Sequence, residues 1–414
     1  MEGHGGGARY GRRAVLALGL GLGLGALPGL SCTVPPEPSD TAARDVRRLL
    51  EQRAAALLNR DREAFLAVLE PGAQGLRASQ EQEFGNLTGL PLESWEYRLT
   101  GLDRTGESAA TARVELALRA RGYDTVPAVT SRRIDLLRSR GRWYVAGDRP
   151  ARTGAQEIWQ QGPVTAVRGP RALVLGAGQG RERLRGIADV ASSAVAAATR
   201  AWPGEPGLRV VVLVPPSLSG MGALLGEPAA GYRGIAAVTT GASRAGRRTS
   251  ADRVIVNPEA YDVLGAVGQQ VVLTHETAHV ATRTATGAAT PMWLSEGFAD
   301  WVAYRESDRT PVQIAPELRA TVTKEGVPAA LPDDGDFRFT GDADRLAGAY
   351  EGGWLACRMI VERWDEPALL AFYRAVGAHP QREGAVENAL SGALGTTPAE
   401  FTAQWRGYVR EVLD

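Results

Sequence analysis

Lysine is all but missing from this chain: of 47 basic residues only Lys324 is not an arginine. So strong a bias reads as the composition of a GC-rich genome and carries no function by itself. Net charge is missing too, because 47 acids balance 47 bases, which leaves no global field to favour nucleic acid or an anionic membrane. Cysteine is scarce. Cys32 and Cys357 are the only two, which rules out a disulfide framework by count, and Cys357, within Trp354-Leu-Ala-Cys-Arg-Met-Ile360, reads as a buried small apolar residue. No internal repeat is present. A nucleotide-binding fingerprint is not completed either: Gly176-x-Gly178-x-Gly180 lacks the later glycine and the acidic residue ending a second strand that the pattern requires. Histidine is limited to His4, His275, His279 and His379, so two of them four residues apart stand out.

What is present is enough for two or three domains in 414 residues. The N-terminus has the charged-then-apolar order of a secretory signal or signal-anchor: Arg9, Arg12 and Arg13 precede an uncharged run from Ala14 to Leu30. That run is short for a membrane span. Cys32 follows Gly29-Leu30-Ser31, which resembles a lipoprotein signal-peptidase site, although such sites usually carry Leu where Gly29 stands. Residues 1–32 are therefore expected to be a signal peptide or lipoprotein signal, with Cys32 the residue that would be lipidated. Residues 33–40, with three prolines, read as a stiff tether. The expected location is outside the cytoplasm, either membrane-anchored or secreted.

From about Thr41 to Leu69 apolar residues recur at helical spacing, including Val46, Leu49, Leu50, Leu57 and Leu58. From Trp95 to Asp148 the period falls to two, as in Arg113-Val-Glu-Leu-Ala-Leu-Arg119, with Arg-Gly turns between runs. Helices followed by an antiparallel sheet resemble the nuclear transport factor-like cone, which implies a small α+β cone-like domain over 41–150. Residues 151–170 read as a linker. Beyond them, apolar runs at 172–175, 208–214, 234–240 and 253–256, with a helix from Arg181 to Trp202, predict a mixed sheet with a helix packed on it. Gly241 to Ser250 reads as a solvated basic loop between the last two strands.

The chemistry is concentrated in Val271-Val-Leu-Thr-His-Glu-Thr-Ala-His-Val280. On a helix, positions i and i+4 share a face, so His275 and His279 can reach one ion. Glu276, one step round, is placed to take a proton from water activated by that ion. No other charge lies between Asp262 and Arg283, as expected of a buried helix. A third ligand is needed, and a second helix opening at Pro291, with Thr290 as N-cap, supplies Glu296, with Asp300 on the same face.

Here the chain resembles the gluzincin metallopeptidases, the group of thermolysin and aminopeptidase N. Trp293-Leu294-Ser295-Glu296-Gly297-Phe298-Ala299 matches their W-L-x-E-G-x-A in full, although the intervening segment, 280–295, is slightly shorter than in the best-known members. The resemblance implies zinc held by His275, His279 and Glu296, Glu276 as general base, and Asp300 orienting His275. Tyr350-Glu351-Gly352-Gly353 resembles their Y-E-x-G, which implies a Tyr350 hydroxyl donating to the oxyanion at the start of a helix; a structural capping tyrosine is the plainer alternative. The acid that captures a free N-terminus in the aminopeptidases has no counterpart in Gly234 to Gly241, so exopeptidase action lacks its usual anchor. The remainder reads as helices, the last with a Thr397–Glu400 capping box, and His379 as a loop histidine.

The expected fold is α+β: a two-lobed zincin domain over 171–414 behind the cone-like domain. The expected protein is an exported zinc metallopeptidase acting on peptide or protein substrates. It is expected to be a monomer, without nucleic acid, and to meet the membrane only through its N-terminus. The rival is a non-catalytic zinc-containing binding module of the cell envelope, which would have no physical need for Glu276.

Overall fold

A computed structural model describes residues 41–205, 207–244, 247–338 and 343–414. The expected signal, the tether and Cys32 lie outside them. The described residues divide into two compact units, one of residues 41–233 and 237–284, the other of 234–236 and 285–414. None of their helices is long and apolar enough to cross a membrane.

The first unit holds both sheets, and the fold is mixed α and β. Its first part is three helices, α1 (Thr41–Leu58), α2 (Arg62–Ala67) and α3 (Gln74–Thr88), then a four-stranded meander, β1 (Leu92–Arg104), β2 (Ala109–Ala120), β3 (Ala128–Ser139) and β4 (Arg142–Pro150). The single helical stretch expected over 41–69 is broken at Asn59 to Asp61, where Asp61 caps α2 by accepting from the Ala64 amide. The period-two reading explains the sheet. Ala112, Val114 and Leu116 face inward, while Arg113 and Glu115 between them reach out to Asp103 and Arg98.

The stretch read as a linker carries structure of its own. Residues 164–168 form β5 (Val164–Arg168), antiparallel to β6 (Ala172–Ala177). From β6 the chain runs through α4 (Arg181–Ala201) to β7 (Val210–Val214), parallel to β6, then through α5 (Leu218–Leu225) to the hairpin β8 (Ala237–Arg244) and β9 (Arg247–Val256). The strand order is β5-β6-β7-β9-β8, so β8 forms an edge. β6 and β7 are buried throughout, as strands covered on both faces must be, and this is why they read as unbroken apolar runs. The basic stretch taken for a loop is therefore mostly strand: β8 and β9 continue through it. Within this unit the two sheets are tied together by Arg253, whose guanidinium donates to both oxygens of Asp124 at 2.8 Å.

After α6 (Pro258–Tyr261) and α7 (Ala266–Thr282), the described part of the second unit is helical: α8 (Met292–Tyr304), α9 (Pro311–Ile314), α10 (Pro316–Glu325), α11 (Ala343–Arg363), α12 (Glu366–Ala378), α13 (Ala385–Ala389) and α14 (Pro398–Leu413). Here α8 crosses α11 at Gly297 and Gly353. A Cβ on Gly297 would come within 2.3 Å of the Gly353 carbonyl, so the two backbones touch and no larger residue fits. The Thr397–Glu400 box caps α14 as its spacing requires. Cys357 is fully buried in α11.

Candidate metal centre

The helix α7 is buried on every side from Leu273 to Thr282. An ordinary surface helix exposes a polar face; this stretch exposes none, with α4 packed against it and the sheet beside it. Its hydroxyls are satisfied within the helix, Thr277 donating to the Leu273 carbonyl at 2.7 Å and Thr282 to that of Ala278 at 3.0 Å. His275, Glu276 and His279 therefore sit in a buried, close-packed setting.

The expected ligands come together. One ligand atom from each of His275, His279 and Glu296 lies within 4.8 Å of the others, and all three residues are buried, Glu296 at 0% exposure. The two imidazole Nε2 atoms face each other at 3.0 Å. Two nitrogens on one tetrahedral zinc, each about 2.0–2.1 Å from it, would stand about 3.3–3.4 Å apart. A carboxylate buried beside two imidazoles is stabilised by positive charge among them. Two nitrogens and one oxygen are the donor set of a zinc site with one position left for chemistry. The residues present fit the ion.

Glu276 is also 0% exposed. The hydroxyl of Thr239, on the edge strand β8, lies 2.5 Å from its Oε2 and 3.1 Å from its backbone carbonyl oxygen. Nothing in the sequence singled out Thr239; the stretch drew attention as a strand and for the acid it lacks.

Asp300 lies on α8 one turn beyond Glu296 and is partly buried. The helix begins one residue later than expected. Pro291 is its N-cap, the Thr290 hydroxyl instead accepts from the Gly287 amide at 3.1 Å, and the Met292 amide is met by Asp334 at 2.9 Å. Tyr350 does not start its helix. It stands about two turns into α11, buried, with its ring edge-on to Phe337 at 5.1 Å, so helix capping is not its role. Its neighbour Glu351 does cap a helix, accepting at 2.6 Å from the Leu318 amide in the first turn of α10. Burial, and then a hydrogen bond with Glu317, push the Glu351 carboxyl up to about 10. His379 is a loop residue, its ring between the Gln381 carbonyl and Asn388.

No protein-family model matches the chain, and a search of curated proteins finds no match. Among solved structures, an M1 zinc metallopeptidase from Deinococcus radiodurans is similar at 13% identity and a TM-score of 0.33, over 78% of this chain and 96% of that one. A point mutant of the same enzyme gives 12% and 0.35, over 78% and 95%. An NTF-2 like protein of unknown function from Shewanella oneidensis MR-1 aligns with 26% of this chain and 97% of its own, at 12% identity and a TM-score of 0.22. At these values, what the site can do rests on its own residues.

Proposed function

We propose that the protein is an exported zinc-dependent metallopeptidase that hydrolyses peptide bonds. The observation that carries the reading is the convergence of His275, His279 and Glu296 in a buried cluster on whose first helix Glu276 is also fully buried. His275, His279 and Glu296 would hold zinc, and Asp300 would fix the orientation of the His275 ring. When bound, zinc supplies Lewis acidity for acidifying water and polarising a carbonyl. Glu276 then does the proton work: its carboxylate takes the proton from the attacking water and delivers it to the departing amide nitrogen. Tyr350 would donate its hydroxyl proton in a hydrogen bond to the carbonyl oxygen as negative charge grows there. Export and anchoring belong to the proposal through the order of charges and apolar residues before Cys32. So do the domain limits, with a cone-like domain at 41–150 and the peptidase domain at 171–414.

The test is elemental analysis joined to hydrolysis of a pool of internally quenched peptides. One zinc per chain and hydrolysis abolished by chelator are expected, and His279→Ala should lose both. Full zinc content in that variant, or hydrolysis indifferent to chelator, overturns the reading.

A further inference from the structure

The strand β8 reaches Glu276 through a particular local geometry. Its pairing with β9 is regular up to Thr240 and then shifts register between Thr240 and Ala242, the mark of a bulge that re-aims neighbouring side chains. Gly241, at the shift, has φ +153, and a Cβ there would lie 2.1 Å from Oδ1 of Asp252. The Asp252 carboxylate occupies that space, and it also accepts from Arg283 Nε at 2.6 Å, just past the end of α7. Arg248 of β9 donates to the Val280 carbonyl of the same helix. The hairpin is thus clamped to the C-terminal end of α7. Thr239, two residues before Gly241, meets the helix at Glu276.

We propose that Thr239 is a positioning residue for the Glu276 carboxylate; this rests on the peptidase reading of the site. The Thr239 hydroxyl has one proton and two acceptors in reach. The shorter contact, 2.5 Å to Oε2 against 3.1 Å to the backbone oxygen, is the charge-assisted one. Donation to Oε2 stops rotation of the carboxylate and fixes which of its edges faces the reacting water. Thr239 is 1% exposed, so bulk water does not stand in for a lost hydroxyl. The residue acts through Glu276.

The experiment compares Thr239→Val, which keeps the branched shape, with Thr239→Ser, which keeps the hydroxyl. Both are made in the wild-type chain and in a Glu276→Leu chain. With quenched peptides as probe, Thr239→Val should lower kcat by about 10–100-fold, in the range of outer-layer partners in such sites. KM and zinc content should hold, and Thr239→Ser should recover most of the rate. In chelator-treated protein, Thr239→Val should lower Tm by roughly 3–6 °C, because it takes a donor away from a buried carboxylate. The shift should shrink in the Glu276→Leu chain, where only the backbone carbonyl of residue 276 remains to accept. A Tm loss of equal size in both chains means the hydroxyl does not serve Glu276 and overturns the proposal, whatever the activity. So does a coupled Tm with kcat unchanged, or a Thr239→Ser variant as slow as Thr239→Val. A wild-type chain that hydrolyses no peptide while the Tm coupling holds would instead count against the peptidase reading.

Discussion

Two buried polar clusters in this molecule invite comparison. In the first unit, Arg53 of α1 and Arg132 of β3 meet Asp148 of β4 at 3.1 and 2.7 Å, with all three side chains at 2–3% exposure. Arg53 also donates to Gln80 and lies over the Phe65 ring at 4.3 Å. The second cluster is His275, His279 and Glu296. Burial is equally deep in both, so burial alone does not mark a functional site. The chemistry of the groups differs. The first joins cations to an anion, and direct ion pairs meet much of the cost of burying them. The second joins three lone-pair donors whose ring nitrogens point at one another, an arrangement that suits an added cation. The first cluster reads as part of the framework, the second as a site.

Four experiments would break or sharpen that contrast. The largest effect is expected for Glu276→Gln, which should lower peptide hydrolysis by about 10²–10⁴ with zinc content and fold intact; unchanged turnover would remove Glu276 from the mechanism. Next is Asp148→Ala, which leaves two buried arginines without their carboxylate and should cost about 3–5 kcal/mol of stability by urea unfolding. Zinc content and activity per folded molecule should not move. Were they to fall with stability intact, the division into framework and site would be wrong.

Tyr350→Phe removes one oxygen and keeps the ring against Phe337. Turnover should drop by roughly 10²–10³, the worth of a pre-positioned oxyanion donor, with Tm held. Full turnover would return Tyr350 to the framework. The smallest effect concerns Glu351. Its carboxyl holds its proton to about 10 in the folded chain against 4.5 for a free one. Between those values the unfolded chain binds fewer protons, so stability falls as pH rises from about 4.5 towards 10. Glu351→Gln keeps an acceptor for the Leu318 amide and cannot ionise. It should flatten that slope, so that its Tm advantage over the wild-type chain grows as pH rises from about 5 to 8. A slope unaltered in the variant would assign the pH dependence elsewhere.

Much of the fold was legible because its signals are local. Alternation predicted the first sheet, and unbroken apolar runs marked β6 and β7 as covered on both faces. The regions that misled did so for physical reasons. Gly241 to Ser250 is polar and basic, as loops are, yet an edge hairpin exposes enough of its surface to tolerate that composition. The stretch 151–170 is rich in glycine and proline, yet β5 needs only five residues to add a strand to β6. Thr290 has the right chemistry for an N-cap, but Asp334, distant in sequence, takes that amide.

What the sequence by itself determined about this protein is what one element can encode: the shared helical face of His275 and His279, the like pairing of Glu296 with Asp300, and the Thr397–Glu400 cap. Spacing within a helix fixes such relations before any packing occurs. Only the tertiary structure decided that the Thr239 hydroxyl meets Glu276, that Glu351 caps α10, and that Gly297 and Gly353 let two helix backbones touch. Each of these joins residues more than thirty positions apart. A threonine, a glutamate or a glycine looks alike in sequence whatever it faces, and its partner is chosen only when the packed chain leaves one group within reach.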